Sequence, residues 1–104
     1  MDDTLRTSWS STHDPISKKI KQKIEQAGGK YFCNDNIEQY LEDGDLEKLT
    51  IEVQEKVQAL LDSLIINSAK DHNTQKTAER VARMFITEVF SGRYETLPKI
   101  TSFP

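Results

Sequence analysis

Apolar residues recur at intervals of three and four along much of the chain, the spacing that places them on one face of an α-helix. The first such stretch predicts a helix at about 15–27. Its apolar positions are Ile16, Ile20 and Ile24. Asp14 is expected to cap this helix, with Pro15 in the first turn, and Gly28-Gly29 is expected to end it with a left-handed residue. The intervening lysines indicate a solvated face, or alternatively a contact with an acidic partner.

The strongest apolar periodicity predicts a second helix at about 46–66. Its apolar positions are Leu46, Leu49, Val53, Val57, Leu60, Leu61 and Leu64. We interpret them as a face packed within the domain, with a coiled-coil seam as the alternative. Between the first two helices, a shorter element is predicted near 36–42, and Gly44 is expected to end it.

The last predicted helix, at about 77–91, has an unusually wide apolar surface. Thr77 is its expected N-cap, and Gly92 is expected to close it. Its apolar residues are Val81, Ala82, Met84, Phe85, Ile86, Val89 and Phe90. At about 100° per residue they cover half of the circumference or more, so this helix is predicted to pack on two sides. The fold class is therefore mainly α, with three main helices plus a short one.

Composition limits the classes of function. The chain has 104 residues, enough for one small domain or a piece of a larger one, and its net charge of -3 does not favour binding to nucleic acid. Residues 1–13 are rich in Ser, Thr and Asp and predict a mobile tail without a signal peptide. No apolar run approaches the roughly 20 residues that span a bilayer. We expect a cytoplasmic protein, since Cys33 is the only cysteine and cannot form an internal disulfide.

Candidate ligands for a metal are few and scattered. Cys33, His13 and His72 are the only sulfur and imidazole groups, and they lie in three different segments without zinc-type spacing. We expect Cys33 to be a small buried hydrophobic residue rather than a nucleophile. His72 is expected to order the turn before the last helix; as a general base it would have no identifiable partner.

Two other charged features have plain structural interpretations. The acidic cluster around Gly44 lacks the spacing of a calcium-binding loop, so we interpret it as helix capping and solubility. Its members are Glu38, Glu42, Asp43, Asp45 and Glu47. The last helix could resemble a DNA-recognition helix, but its exposed arc carries few basic residues, chiefly Arg80 and Arg83, and its neighbours are acidic.

One long segment resembles a known family. The sequence "LLDSLIINSAKDHNTQKTAERVARMFITEVFSGRYETLPKITSFP" is similar to the N-terminal helical region of GTP cyclohydrolase I. The matching features are the Leu-rich helix, the Asp-His-Asn-Thr loop, "TAERVARMF" followed by "EVFSG", and the exit "PKITSFP". The similarity is close over about residues 57–104 and weaker over 30–56, and the first thirty residues are not diagnostic.

The resemblance implies an N-terminal helical part of an α+β T-fold enzyme. Enzymes of this family use zinc to convert GTP and water to 7,8-dihydroneopterin triphosphate and formate, a step toward pterins, tetrahydrofolate or 7-deazaguanine bases. Their zinc ligands and GTP-binding residues follow the segment that matches this chain. The resemblance thus implies a helical region at 14–92 and an exit segment at 93–104 that leads toward a catalytic domain outside this chain.

No residue of this chain is therefore assigned a catalytic, cofactor-binding or metal-ligating role. The expected partners are a second copy of the chain or a cyclohydrolase catalytic domain, with GTP bound only in the complete enzyme. Three origins remain open: a truncated enzyme, one half of a split enzyme, and a stand-alone helical module that binds or regulates a cyclohydrolase or another partner.

Overall fold

The protein is mainly helical. A computed structural model describes residues 14–95, of which 61% are helical and none is in a strand. The predicted tail at 1–13 and residues 96–104 of the exit segment lie outside this range. The prediction of a mainly α fold with three main helices and a short one is confirmed.

The helices follow the predicted order. They are α1 (Ile16–Gln26), a 3-10 turn (Glu38–Tyr40), α2 (Asp45–Ser63), α3 (Thr77–Met84), a π-helical turn (Phe85–Val89) and α4 (Ser91–Tyr94). The long predicted helix at 77–91 is therefore not α-helical throughout. It changes to the wider π form after Met84, and it breaks at Phe90, where φ is -115° and ψ is 25°.

Helix α1 buries its isoleucine face, as the periodicity predicts. Ile20 and Ile24 pack with Ile37 from the following loop. Partly buried residues surround this cluster: Ile16, Tyr31, Tyr40, Leu41 and Tyr94. Because this cluster joins α1 to a loop and to α4, it ties the two ends of the described chain together.

The two ends of α1 differ in how well the sequence predicts them. Asp14 is not the cap, because Pro15 occupies that position with extended ψ, and its carbonyl accepts a hydrogen bond from Lys18 N at 3.0 Å. The Asp14 carboxylate instead pairs with the Lys18 ammonium at 3.4 Å.

At the other end of α1, Gly28 has the predicted left-handed conformation, with φ of 73°. Gly29 is needed for a different reason, since a Cβ there would overlap the Tyr40 hydroxyl.

Two reciprocal hydrogen bonds close the turn before helix α2, whose N-cap is Gly44 in the left-handed conformation, with φ of 87°. The Asp45 carboxylate accepts a hydrogen bond from Glu42 N at 2.9 Å, and Asp45 N donates to the Glu42 carbonyl. Asp45 is buried in the first turn of α2, where a negative charge is favourable to the helix dipole, but no side chain forms a capping hydrogen bond at this N-terminus. The predicted apolar face is only partly correct: Leu49 and Leu61 are buried, whereas Leu60 and Leu64 are exposed.

Helix α3 packs against α2 through small residues. Ala78, Ala82 and Ile86 are buried, and their spacing of four places them on one face. Small side chains at the contact allow the two helix axes to approach closely.

The ends of the last helix differ from the prediction. Thr77 is not the N-cap, because Lys76 holds that position. The chain before it already turns, with Thr77 N bonded to the Thr74 carbonyl at 3.1 Å. Gly92 lies inside α4 and does not close the helix.

Candidate interaction surface

The wide apolar arc of the last helix is only half covered. Ala82 and Ile86 face α2 and are buried, while Phe85 is half-buried. Met84, Val89 and Phe90 are exposed, and for Val89 the exposed fraction is 55%. The prediction that the chain's own helices cannot cover all these residues is confirmed for the described part of the chain. In particular, the isoleucine face of α1 is occupied by Ile37 and its neighbours.

The π-helical turn gathers the exposed residues into one surface. Phe90 N donates to the Phe85 carbonyl at 2.9 Å, a bond that spans five residues instead of four. The wider turn brings the Phe90 ring to 5.9 Å from the Phe85 ring, measured between centroids. Met84, Phe85, Val89 and Phe90 form what we call the Phe90 patch. Single π turns within α-helices are frequent at functional sites.

The opposite side of α3 is polar. A groove between α2 and α3 is lined mainly by polar side chains: Glu47, Thr50, Gln54, Glu79, Arg83 and Thr87, with Leu46, Ile51 and Ile86. Arg83 and Glu79, one turn apart on α3, form an ion pair along its wall at 2.9 Å. Residues two apart on an α-helix differ by about 200°, so Arg83 and Phe85 point to different sides. The Phe90 patch therefore has a polar boundary.

The chain just after the Phe90 patch is fixed by what we call the Arg93 clasp. The Arg93 guanidinium donates to the carbonyls of Phe32 and Cys33, at 2.5 and 2.8 Å. In return, the Asn36 amide donates to the carbonyls of Gly92 and Glu95, at 2.7 and 3.1 Å. Ile37 N also donates to the Arg93 carbonyl, at 2.6 Å. These bonds join segments about sixty residues apart and set the position from which the exit segment starts.

A second apolar surface lies at the far end of α2. Leu60 and Leu64, with exposed fractions of 57% and 60%, form what we call the Leu60 patch. They are four residues apart, so they lie on one side of the helix. Beyond them the helix ends with Ile65 in the left-handed conformation, with φ of 64°. Ile66 N bonds to the Leu61 carbonyl at 3.1 Å, and Ile65 N bonds to the Asp62 carbonyl at 3.0 Å, which is the Schellman arrangement.

The residues considered for chemistry do not converge. Cys33 is exposed in the loop held by the Arg93 clasp, so the prediction that it is buried is wrong. Free cysteines are buried in most proteins, but Cys33 begins the polar run "CNDN", whose side chains favour a solvated loop. His72 is exposed in a turn that Asp71 orders: the Asp71 carboxylate accepts bonds from Asn73 N and the Thr74 hydroxyl, each at 3.0 Å.

The acidic residues around Gly44 are used structurally. Besides the turn that Asp45 closes, Glu42 pairs with the Lys23 ammonium at 2.9 Å, and that ammonium also bonds to the Tyr40 carbonyl. Between residues 14 and 95, no three His, Cys, Asp or Glu side chains are grouped so that they could hold a metal ion. Within the same range, no helix combines the length and the apolar character that crossing a bilayer requires.

One titratable group is perturbed. The Tyr31 hydroxyl donates to the Glu25 carboxylate at 2.6 Å, and this bond raises the pKa of Tyr31 above its ordinary value because it stabilises the protonated phenol. Burial and the charge of Glu25 act in the same direction. The pair fastens the loop after α1 to that helix and provides neither a nucleophile nor a base.

Comparisons of the chain with protein-family models, with curated proteins and with solved structures gave no match. The fold and surface define only a mainly helical chain, in the part that the structure describes, with exposed apolar side chains grouped at the end of its last long helix.

Proposed function

We propose that this chain is the N-terminal helical region of a GTP cyclohydrolase I and that it serves assembly of the enzyme rather than its chemistry. Support comes from the ordered similarity over residues 57–104. In the complete enzyme, zinc would activate water for opening of the GTP ring and release of formate. In this proposal, those steps belong to residues outside this chain.

The observation that carries the assembly role is the Phe90 patch. It lies on the last helical turns before "ETLPKITSFP", the segment that in the family leads into the catalytic domain. Exposed apolar side chains grouped on one side of a small protein are typical of an interface. The occupant in this proposal is a second copy of the chain or a cyclohydrolase catalytic domain.

The Arg93 clasp supports the same role. It fixes α4 to the loop at 32–37 and leaves the Phe90 patch open. A patch on a rigid element binds with a smaller loss of conformational entropy than one on a loose end.

The change Phe90→Asp tests this proposal. A buried aromatic contact contributes enough that its replacement by a charge should weaken association by about tenfold or more. Sedimentation velocity over a wide range of concentrations, with and without a cyclohydrolase catalytic domain, measures the effect. Leu64→Asp is the control, because Leu64 is 60% exposed at the far end of α2 and does not line the groove that α2 forms with α3.

A stand-alone interaction module is the second candidate, and one observation favours it. The Ile20, Ile24 and Ile37 cluster and the Arg93 clasp hold both ends of the described chain together without another domain. This candidate would remain if the wild-type chain sediments as a compact monomer at every concentration and has no affinity for the catalytic domain. That result would remove the assembly role.

A further inference from the structure

The π-helical turn adds one residue between two parts of the chain that are fixed in place. Before the turn, Ala82 and Ile86 are buried on the side of α3 that faces α2. After it, the Arg93 clasp holds α4 to the loop at 32–37. Since the hydrogen bond from Phe90 N closes over five residues instead of four, the chain reaches the clasp one residue later than a straight α-helix would.

The apolar pattern of the sequence fits a straight helix better than it fits the π turn. Val89 follows Ala82 by seven residues, close to two full α-helical turns, so a straight helix would direct both to the same side. Ala82 is completely buried, yet Val89 is 55% exposed. The π turn instead places Phe90 one turn after Phe85, the position that Val89 would hold in an α-helix. The turn therefore exchanges Val89 for Phe90.

This exchange is what brings Arg93 to its carbonyl partners. If the turn contracted to α geometry, each position after it would be taken by the preceding residue. Gly92 would then stand where Arg93 now lies. Because glycine has no side chain, it could not bond to the carbonyls of Phe32 and Cys33. The clasp and the π turn therefore require each other.

Contacts that exist only with the π turn offset its less favourable geometry. π-helices are rare, whereas the segment after Met84 would otherwise continue as an α-helix. The clasp contributes its side-chain bonds and the bond from Ile37 N to the Arg93 carbonyl. The rings of Phe85 and Phe90 add an aromatic contact at 5.9 Å, and residues five apart on an α-helix would point to different sides.

We propose that the π turn and the Arg93 clasp form one two-state device. With the clasp closed, the turn is π-helical and Phe90 lies beside Phe85. With the clasp open, the turn is α-helical and Val89 takes that place. The loop at 32–37 thereby controls which side chain the Phe90 patch presents next to Phe85. The proposal does not depend on the cyclohydrolase assignment or on what binds the patch.

Scalar couplings across hydrogen bonds, measured by NMR, identify the acceptor of the Phe90 amide. In the wild-type chain we expect a coupling from the Phe90 amide nitrogen to the carbonyl carbon of Phe85. In Arg93→Ala we expect it to be replaced by a coupling to the carbonyl carbon of Ile86, the α-helical acceptor. Arg80→Ala is the matched control, because it removes an exposed arginine of α3 outside the clasp and should keep the wild-type coupling. A folded Arg93→Ala variant that keeps the Phe85 coupling, or lacks one to Ile86, overturns the proposal.

Deletion of Glu88 tests the device without opening the clasp. Glu88 is exposed in the turn, and its removal leaves Phe90 four residues after Phe85, as in an α-helix. The clasp then stays in register, so the Ile37 amide, which donates to the Arg93 carbonyl, should keep its wild-type protection from hydrogen exchange. Unfolding of this variant, or a loss of that protection by about tenfold or more, overturns the proposal. Both measurements are made on the chain alone, so their outcome stays separate from the effect of Phe90→Asp on sedimentation.

Discussion

Ile65 is the least expected residue at its position. A β-branched side chain rarely adopts positive φ, because its Cβ meets the backbone there. The Schellman bonds at the end of α2 need such a residue, and glycine is the usual choice. Ile65 is also 91% exposed, so its side chain gains little from burial within the described chain.

Ile65→Gly should therefore stabilise the fold. Relief of the left-handed strain outweighs the greater flexibility of glycine in the unfolded chain, and we expect a net gain of about 0.5–1 kcal/mol in the free energy of unfolding. Urea unfolding followed by circular dichroism measures it. Ile65→Ala is the control, because alanine keeps the Cβ and should gain much less. An equal gain in both variants would show that backbone strain is not the cause.

At the scale of elements, the Arg93 clasp determines how α4 and the loop at 32–37 meet. One guanidinium and one amide side chain bond to five backbone carbonyls, and we expect these bonds to work as a unit because they join the same two segments. All the side-chain hydrogen bonds of Arg93 come from its Nη1 atom, at the end of a side chain longer than that of lysine, so an ammonium at this position would stop short of the carbonyls.

We expect Arg93→Ala to destabilise the protein by about 1.5–3 kcal/mol, the range for hydrogen bonds to charged groups. Arg93→Lys should recover only part of the loss. The cost of Arg93→Ala together with Asn36→Ala should be less than the sum of the single changes, because either change already loosens the contact. Chemical denaturation measures the free energy of unfolding of all four variants.

The control is Arg80→Ala. Arg80 is an exposed arginine on α3, and its replacement should change stability by less than about 0.5 kcal/mol. Strict additivity would contradict the clasp acting as a unit.

At the scale of the whole molecule, the groups that could perform chemistry are kept apart. Cys33 lies in the loop between α1 and α2, whereas His72 lies in the loop between α2 and α3. Among residues 14–95, by contrast, exposed apolar side chains are grouped in the Phe90 patch and the Leu60 patch, with others such as Phe32 and Ile51 standing outside them.

The purified chain should neither retain stoichiometric zinc after dialysis nor release formate from GTP. A zinc site needs about four ligands in a tetrahedral arrangement, and the chain has one cysteine and two histidines in separate segments. Atomic emission and a formate assay check both points, with the complete cyclohydrolase as positive control. Zinc retained at one equivalent, or formate formed by the pure chain, would contradict this expectation.

How far the sequence predicts the structure depends on how local each feature is. The positions of the helices, the buried isoleucine face of α1 and the left-handed Gly28 follow from residues close together in sequence. The N-caps lie one residue away from the predicted positions, at Pro15 instead of Asp14 and at Lys76 instead of Thr77. At both places, backbone hydrogen bonds of the adjoining turn are already formed without a side-chain cap. The incomplete covering of the last helix was also predictable, since its apolar arc is wider than one neighbouring helix can cover.

The sequence by itself determined which segments are helical and which faces are apolar, because periodicity and glycine act within a few residues. Only the tertiary structure decided which of those faces are buried. Leu60 shares a periodic pattern with Leu49, yet Leu49 is buried and Leu60 is exposed, because the first turn of α1 lies beside Glu52 and the helix runs from there away from Leu60. The Arg93 clasp and the π turn at Phe85–Val89 likewise became visible only in the folded chain. Contacts between residues about sixty apart depend on how the helices pack against each other. The change from α to π geometry depends on that packing as well. A local sequence pattern does not encode it.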